Sequence, residues 1–174
     1  MQRRIAVCTL VVVTLAALSF AQGNRPSPAA SATCDLGGGK TIKTDYSSPR
    51  AKGRKIFGGL VPYGEVWRTG ANEATTFVTS SDLMIGGKTV PAGSYTIFTV
   101  PAADKWTLII NKKTGEWGIP YNYESDELAR VDMKVSKTSA PVENFTIAYD
   151  KAGSGCTLRM EWESTSAKVD ITTK

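Results

Sequence analysis

Ser94-Tyr95-Thr96-Ile97-Phe98-Thr99-Val100 leaves the chain little conformational choice, because every residue after Ser94 is β-branched or aromatic. Such side chains lose rotamer freedom in a helix and pack well on a pleated surface, so the run predicts a strand. Pro91-Ala92-Gly93 and Pro101 bracket it with turns. The same punctuated pattern recurs along the chain. Thr41–Tyr46 and Thr75–Thr79 read as strands, and Leu83-Met84-Ile85 and Lys88-Thr89-Val90 form a hairpin around Gly86-Gly87. Trp106–Asn111 is the next strand. Leu128–Val135 alternates, with Val131, Met133 and Val135 on the inward face, and Val142–Tyr149, Thr157–Glu163 and Lys168–Thr172 supply three more strands. No long window carries amphipathic helix spacing. Short strands separated by Gly/Pro turns predict an all-β domain, a single antiparallel β-sandwich, jelly-roll-like.

The N-terminus has a different composition. Arg3 and Arg4 precede the apolar run Ile5–Leu18, and Ser19-Phe20-Ala21 offers small residues for cleavage. Residues 1–21 therefore read as a signal peptide, too short for an ordinary membrane span. No second long apolar run follows, so no stable membrane insertion is expected after cleavage. Residues 22–39 are rich in Pro, Ala, Ser and Gly and predict a flexible tail, with the sandwich spanning residues 40–174. The expected location is outside the cytoplasm, periplasmic or extracellular.

Loss of the leader removes Arg3 and Arg4 from a formal charge of only +5. No clustered basic stripe remains, so nucleic-acid binding is not expected. The densest basic group, Arg50, Lys52, Arg54 and Lys55, reads as a solvated entrance to a strand. Cys34 and Cys156 remain beyond the leader, and an oxidising compartment favours a disulfide between them. The alternative leaves Cys34 free in the tail. The chain contains no histidine. That removes Ser-His-Asp and Cys-His catalysis and the commonest ligand of transition metals. No Ca²⁺-loop motif is present, and no metal or cofactor is expected.

Two loops remain as candidate sites. In Trp67-Arg68-Thr69-Gly70-Ala71-Asn72-Glu73, Arg68 can grip a carboxylate or phosphate bidentately, and Asn72 and Glu73 add an amide and an acceptor. The competing reading is structural: Arg68 pairs with Glu73 and Asn72 caps a turn. In Trp117-Gly118-Ile119-Pro120-Tyr121-Asn122-Tyr123, Trp117 and Tyr121 offer rings on which a sugar can stack, or else they plug the end of the sandwich. Glu65 or Glu73 with Glu116 or Asp126 would provide the carboxylate pair of a glycoside hydrolase if their loops met.

The run GRKIFGGLVPYGEVWRTGANEAT, preceded by Ser48-Pro49-Arg50, resembles a secreted bacterial family known as domain-of-unknown-function family 2911. Ile85-Gly86-Gly87-Lys88, Pro91–Thr96, Trp106, Asn111-Lys112 and Trp117-Gly118 continue the resemblance. It implies export and assigns no reaction, and so carries over no catalytic residue. Arg68, Thr69, Gly70, Asn72 and Glu73 match its signature as candidates. The expected function is an exported binding module for a small molecule, a glycan or a protein segment, with Arg68, Thr69, Asn72, Glu73, Trp117 and Tyr121 at the site. A histidine-free hydrolase of glycans and a purely structural domain are the alternatives.

Overall fold

The computed structural model describes residues 25–174. The expected signal peptide and residues 22–24 of the expected tail lie outside the described residues. Nine strands follow: β1 (Ala29–Gly37), β2 (Lys40–Ser47), β3 (Thr75–Thr79), β4 (Leu83–Ile85), β5 (Lys88–Val90), β6 (Gly93–Val100), β7 (Lys105–Asn111), β8 (Glu127–Ala152) and β9 (Gly155–Thr173). A single 3-10 turn covers Glu124–Asp126. All pairings are antiparallel, in one sheet of order β1-β2-β3-β6-β7-β8-β9-β4-β5. The sheet does not close into a barrel but folds on itself, so the all-β, sandwich-like expectation holds.

Two expectations about the strands are corrected. The Ala/Ser/Gly stretch read as a flexible tail contains β1, paired with β2 from Ala29↔Ser47 to Gly37↔Lys40. Ala30, Ala32, Cys34 and Leu36 turn toward the core every second residue, and Gly37-Gly38-Gly39 is the hairpin turn, with φ of 84°, 60° and 78°. Small side chains had hidden the alternation. The four C-terminal strands are also only two. Pro141 falls where the β8–β9 register shifts, between Lys137 and Val142, and Glu163 has φ 54°. The break signals therefore mark bulges and a bend within two long strands rather than turns between short ones.

The bend brings the far halves of β8 and β9 over β1 and β2. The Thr44 and Tyr149 hydroxyls share a hydrogen bond of 2.6 Å, and Ile147 N–H donates to the Tyr46 hydroxyl at 3.0 Å. Cys34 and Cys156 form the expected disulfide, Cα–Cα 6.5 Å, and both are buried. Between the layers lies an aromatic cluster of Phe57, Trp67, Trp106, Phe145 and Trp162, mostly in edge-to-face contacts. β6 is buried on both faces. Tyr95 and Ile97 join this core, while Phe98 faces outward beneath a second small cluster with Ala74, Ile109, Tyr121 and Tyr123. The aromatic loop after β7 thus roofs the outer face of the sheet.

Candidate functional site

The segment between β2 and β3 crosses the end of the sandwich and is tied down by backbone bonds. Trp67 exchanges two of them with Thr99 of β6, at 2.7 and 2.9 Å. Ala71 N–H donates to Ser47 O, and Ala74 N–H to Glu116 O, both at 3.1 Å. Thr69 sits at φ 56°, where a β-branched residue is strained. It is held there fully buried: its hydroxyl bonds Thr99 Oγ1 at 3.1 Å, and its carbonyl accepts Thr75 Oγ1 at 2.6 Å. Gly70 follows because a Cβ there would stand 2.9 Å from Ser47 O.

This knot positions Arg68. Its Nη1 donates to Asn72 O and to Trp117 O (3.2 Å for the latter), and its guanidinium lies 5.4 Å from the centroid of the Trp117 ring. Burial pulls the Arg68 guanidinium below its ordinary value, and it stays a cation. The approach of the two loops depends on Gly118, at φ 96°. A Cβ there would meet Ala74 Cβ at 2.9 Å and Arg68 Cβ at 3.2 Å.

Beside Arg68 opens a cleft of about 440 Å³. Half-buried Trp67 forms its floor, backed by the buried Trp162 ring stacked on it at 5.9 Å and 17°. Leu60, Pro62 and Ile119 line its apolar sides, and Arg54, Arg68, Glu65 and Asn72 supply polar groups. Arg54 Nε and Nη2 donate to the carbonyls of Ala51 and Arg50, at 3.0 and 2.6 Å. Among the described residues, neither Arg54 nor Arg68 forms an ion pair. The cleft combines an apolar wall with a few polar groups, and its volume lies within the range of small-molecule pockets.

The sequence matches the family described as "Protein of unknown function (DUF2911)" over residues 27–171. The chain belongs to that family. No curated protein and no solved structure matches it.

In this DUF2911 domain, Arg68 and Asn72 are together at the cleft and Trp117 touches Arg68, but the other expected site residues go elsewhere. Glu73 points away and pairs with Arg25 at 3.0 Å beside a separate depression of about 220 Å³. Its own backbone N–H and Arg25 hold its carboxyl below the usual range. Thr69 is buried and does not line the cleft. Tyr121 packs on Phe98, donates to Glu127 Oε1 at 2.7 Å and accepts from Asn111 Nδ2 at 3.2 Å. Ile119, not Tyr121 or Trp117, brings the aromatic loop into the cleft wall. Trp117 is 56% exposed outside it, over Arg68. Sequence reasoning missed Arg54, which lay in a basic group read as solvated, and Trp162, whose alternating strand context marks a core residue. Glu65 is the one carboxylate among the described residues of the cleft, and those residues contain no cluster of metal-ligating side chains. No helix among them is long and apolar enough to cross a membrane.

Proposed function

We propose that this domain is a binding module for a small ligand, carried by an exported protein, and that its ligand occupies the cleft between Arg54, Arg68 and Ile119. One observation carries the reading: a concave site floored by the Trp67 indole, itself backed by buried Trp162, meets a guanidinium already fixed in place by two carbonyls. A group ordered before binding loses little entropy when the ligand arrives. The disulfide and the signal-like leader support export. The carboxylate-pair hydrolase has less support, because Glu73 faces away and the cleft presents Glu65 without a second acid among the described residues.

The test is a thermal-shift screen of the protein against oligosaccharides, cell-wall fragments and small aromatic compounds, followed by tryptophan fluorescence. A ligand at about 100 times its Kd adds roughly 2.7 kcal/mol of stability. The reading expects a hit that perturbs Trp67 fluorescence and is lost when Ile119→Arg fills the wall. A hit indifferent to Ile119→Arg sinks it.

A further inference from the structure

We infer that the ligand of this cleft carries an oxyanion, a carboxylate or a phosphate, on an apolar body, with Arg54 and Arg68 gripping the anion and Trp67, Leu60 and Ile119 packing the body. The inference rests on the cleft being the binding site proposed above. Its first support is charge. Two guanidiniums line the cleft against one carboxylate, Glu65, which is exposed at its edge.

The second support is the donor geometry. Arg68 spends Nη1 on its two carbonyls, and Arg54 spends Nε and Nη2. Among the described residues nothing accepts from Arg68 Nε and Nη2 or from Arg54 Nη1. Nε and Nη2 form the edge of a guanidinium that binds two oxygens of one carboxylate or phosphate in parallel. The carbonyl anchors hold both cations without neutralising them, so the cleft keeps positive charge for an incoming anion. The third support is the wall. Leu60 is half exposed and Ile119 more than a third exposed, and together with the Trp67 ring they offer apolar surface next to the charges. A bare inorganic anion would leave that surface wet; a neutral sugar would leave the guanidiniums unmatched.

Matched probes separate the alternatives. Indole-3-acetate, indole-3-acetamide, phenyl phosphate and phenol are titrated into the protein by calorimetry at low and moderate NaCl. The expected result is that an acid binds at least 10-fold tighter than its neutral counterpart and weakens with salt. Arg68→Gln and Arg54→Gln should each remove most of that preference. Arg54 is exposed and its replacement spares the loop knot, so this arm stays decisive if Arg68→Gln fails to fold. Whether the preference over the neutral counterpart is larger for indole-3-acetate or for phenyl phosphate identifies the oxyanion. Equal binding of acid and neutral probes overturns the anion inference and leaves the cleft reading standing. Absence of binding by all four, with a neutral oligosaccharide retained in the cleft, overturns it too. No ligand of any kind at the cleft ends both.

Discussion

Arg68 stands over the Trp117 ring at 5.4 Å while donating Nη1 to the carbonyl of the same residue. One side chain thus joins the β2–β3 segment to the aromatic loop after β7, and it does so at the edge of the cleft. The other carbonyl it holds, Asn72 O, closes its own loop.

Replacing Arg68 therefore has a structural consequence separable from binding. Arg68→Ala leaves two carbonyls without their charged donor and removes the contact with Trp117. We expect a loss of about 1.5–3 kcal/mol in urea unfolding. Arg68→Lys should recover part of it, since an ammonium supplies a point charge but not the fork. Unchanged stability in Arg68→Ala would show that the loops hold without it.

Gly118→Ala tests the same junction from the other side. At φ 96°, and with Ala74 Cβ 2.9 Å from the added methyl, the loop must move. The expected cost is at least about 1 kcal/mol. Trp117 should become more accessible to a fluorescence quencher, whereas Gly115→Ala, strained but with open space at its Cβ, should leave Trp117 unaffected.

The disulfide joins β1 to β9 across 122 residues of sequence. By chain entropy, closing so long a loop stabilises by about 4–5 kcal/mol. Cys34→Ala/Cys156→Ala should lower the unfolding free energy by an amount of that order. A double variant as stable as the parent would show that the β1–β2 hairpin is held by its ladder and packing alone.

Alkaline pH should destabilise the fold through two tyrosines. Burial pushes Tyr149 well above its ordinary value; burial and then the Glu127 carboxylate do the same for Tyr121. Above about pH 10 the unfolded chain ionises these groups while the folded one keeps them protonated. Their contribution is therefore complete below pH 10 and is lost as pH rises beyond it, by at most about 1.4 kcal/mol per pH unit for each group. Tyr149→Phe should cost about 1 kcal/mol at pH 8, from the lost Thr44 bond, and flatten the alkaline slope in urea titrations.

At the acid end, Glu127 works in the opposite sense. Arg130, bound through Nε and Nη2 at 2.7 Å, and the Tyr121 hydroxyl hold its carboxyl below the usual range against the opposing effect of burial. That contribution is present above about pH 4.3 and disappears as pH falls through the folded value. Glu127→Gln should lose about 1–2 kcal/mol at pH 7 and depend less on pH between 5 and 2, as followed by thermal unfolding.

The local physics of the sequence determined the strands and little of their arrangement. Thr75–Thr79, Leu83–Ile85 and Lys88–Val90 were legible to the residue, because β-branched alternation and Gly turns act over a few neighbours. The absence of histidine set chemical limits that no fold alters. Where a signal had two local meanings, only packing chose between them. Small residues made β1 look like a tail, and the breaks expected between the C-terminal strands proved to be a register shift at Pro141 and a bend at Glu163 within two long strands. The site depended on contacts between residues distant in the chain. Arg68 and Trp117 were both legible as candidates, yet Glu73 turned toward Arg25 and Tyr121 toward Phe98, partners 48 and 23 residues away along the chain. Trp162 came to back the floor of the cleft only because the bend at Glu163 folds β9 back over the sheet. Side-chain periodicity is written in the sequence; which surfaces face each other is decided when the sheet folds on itself.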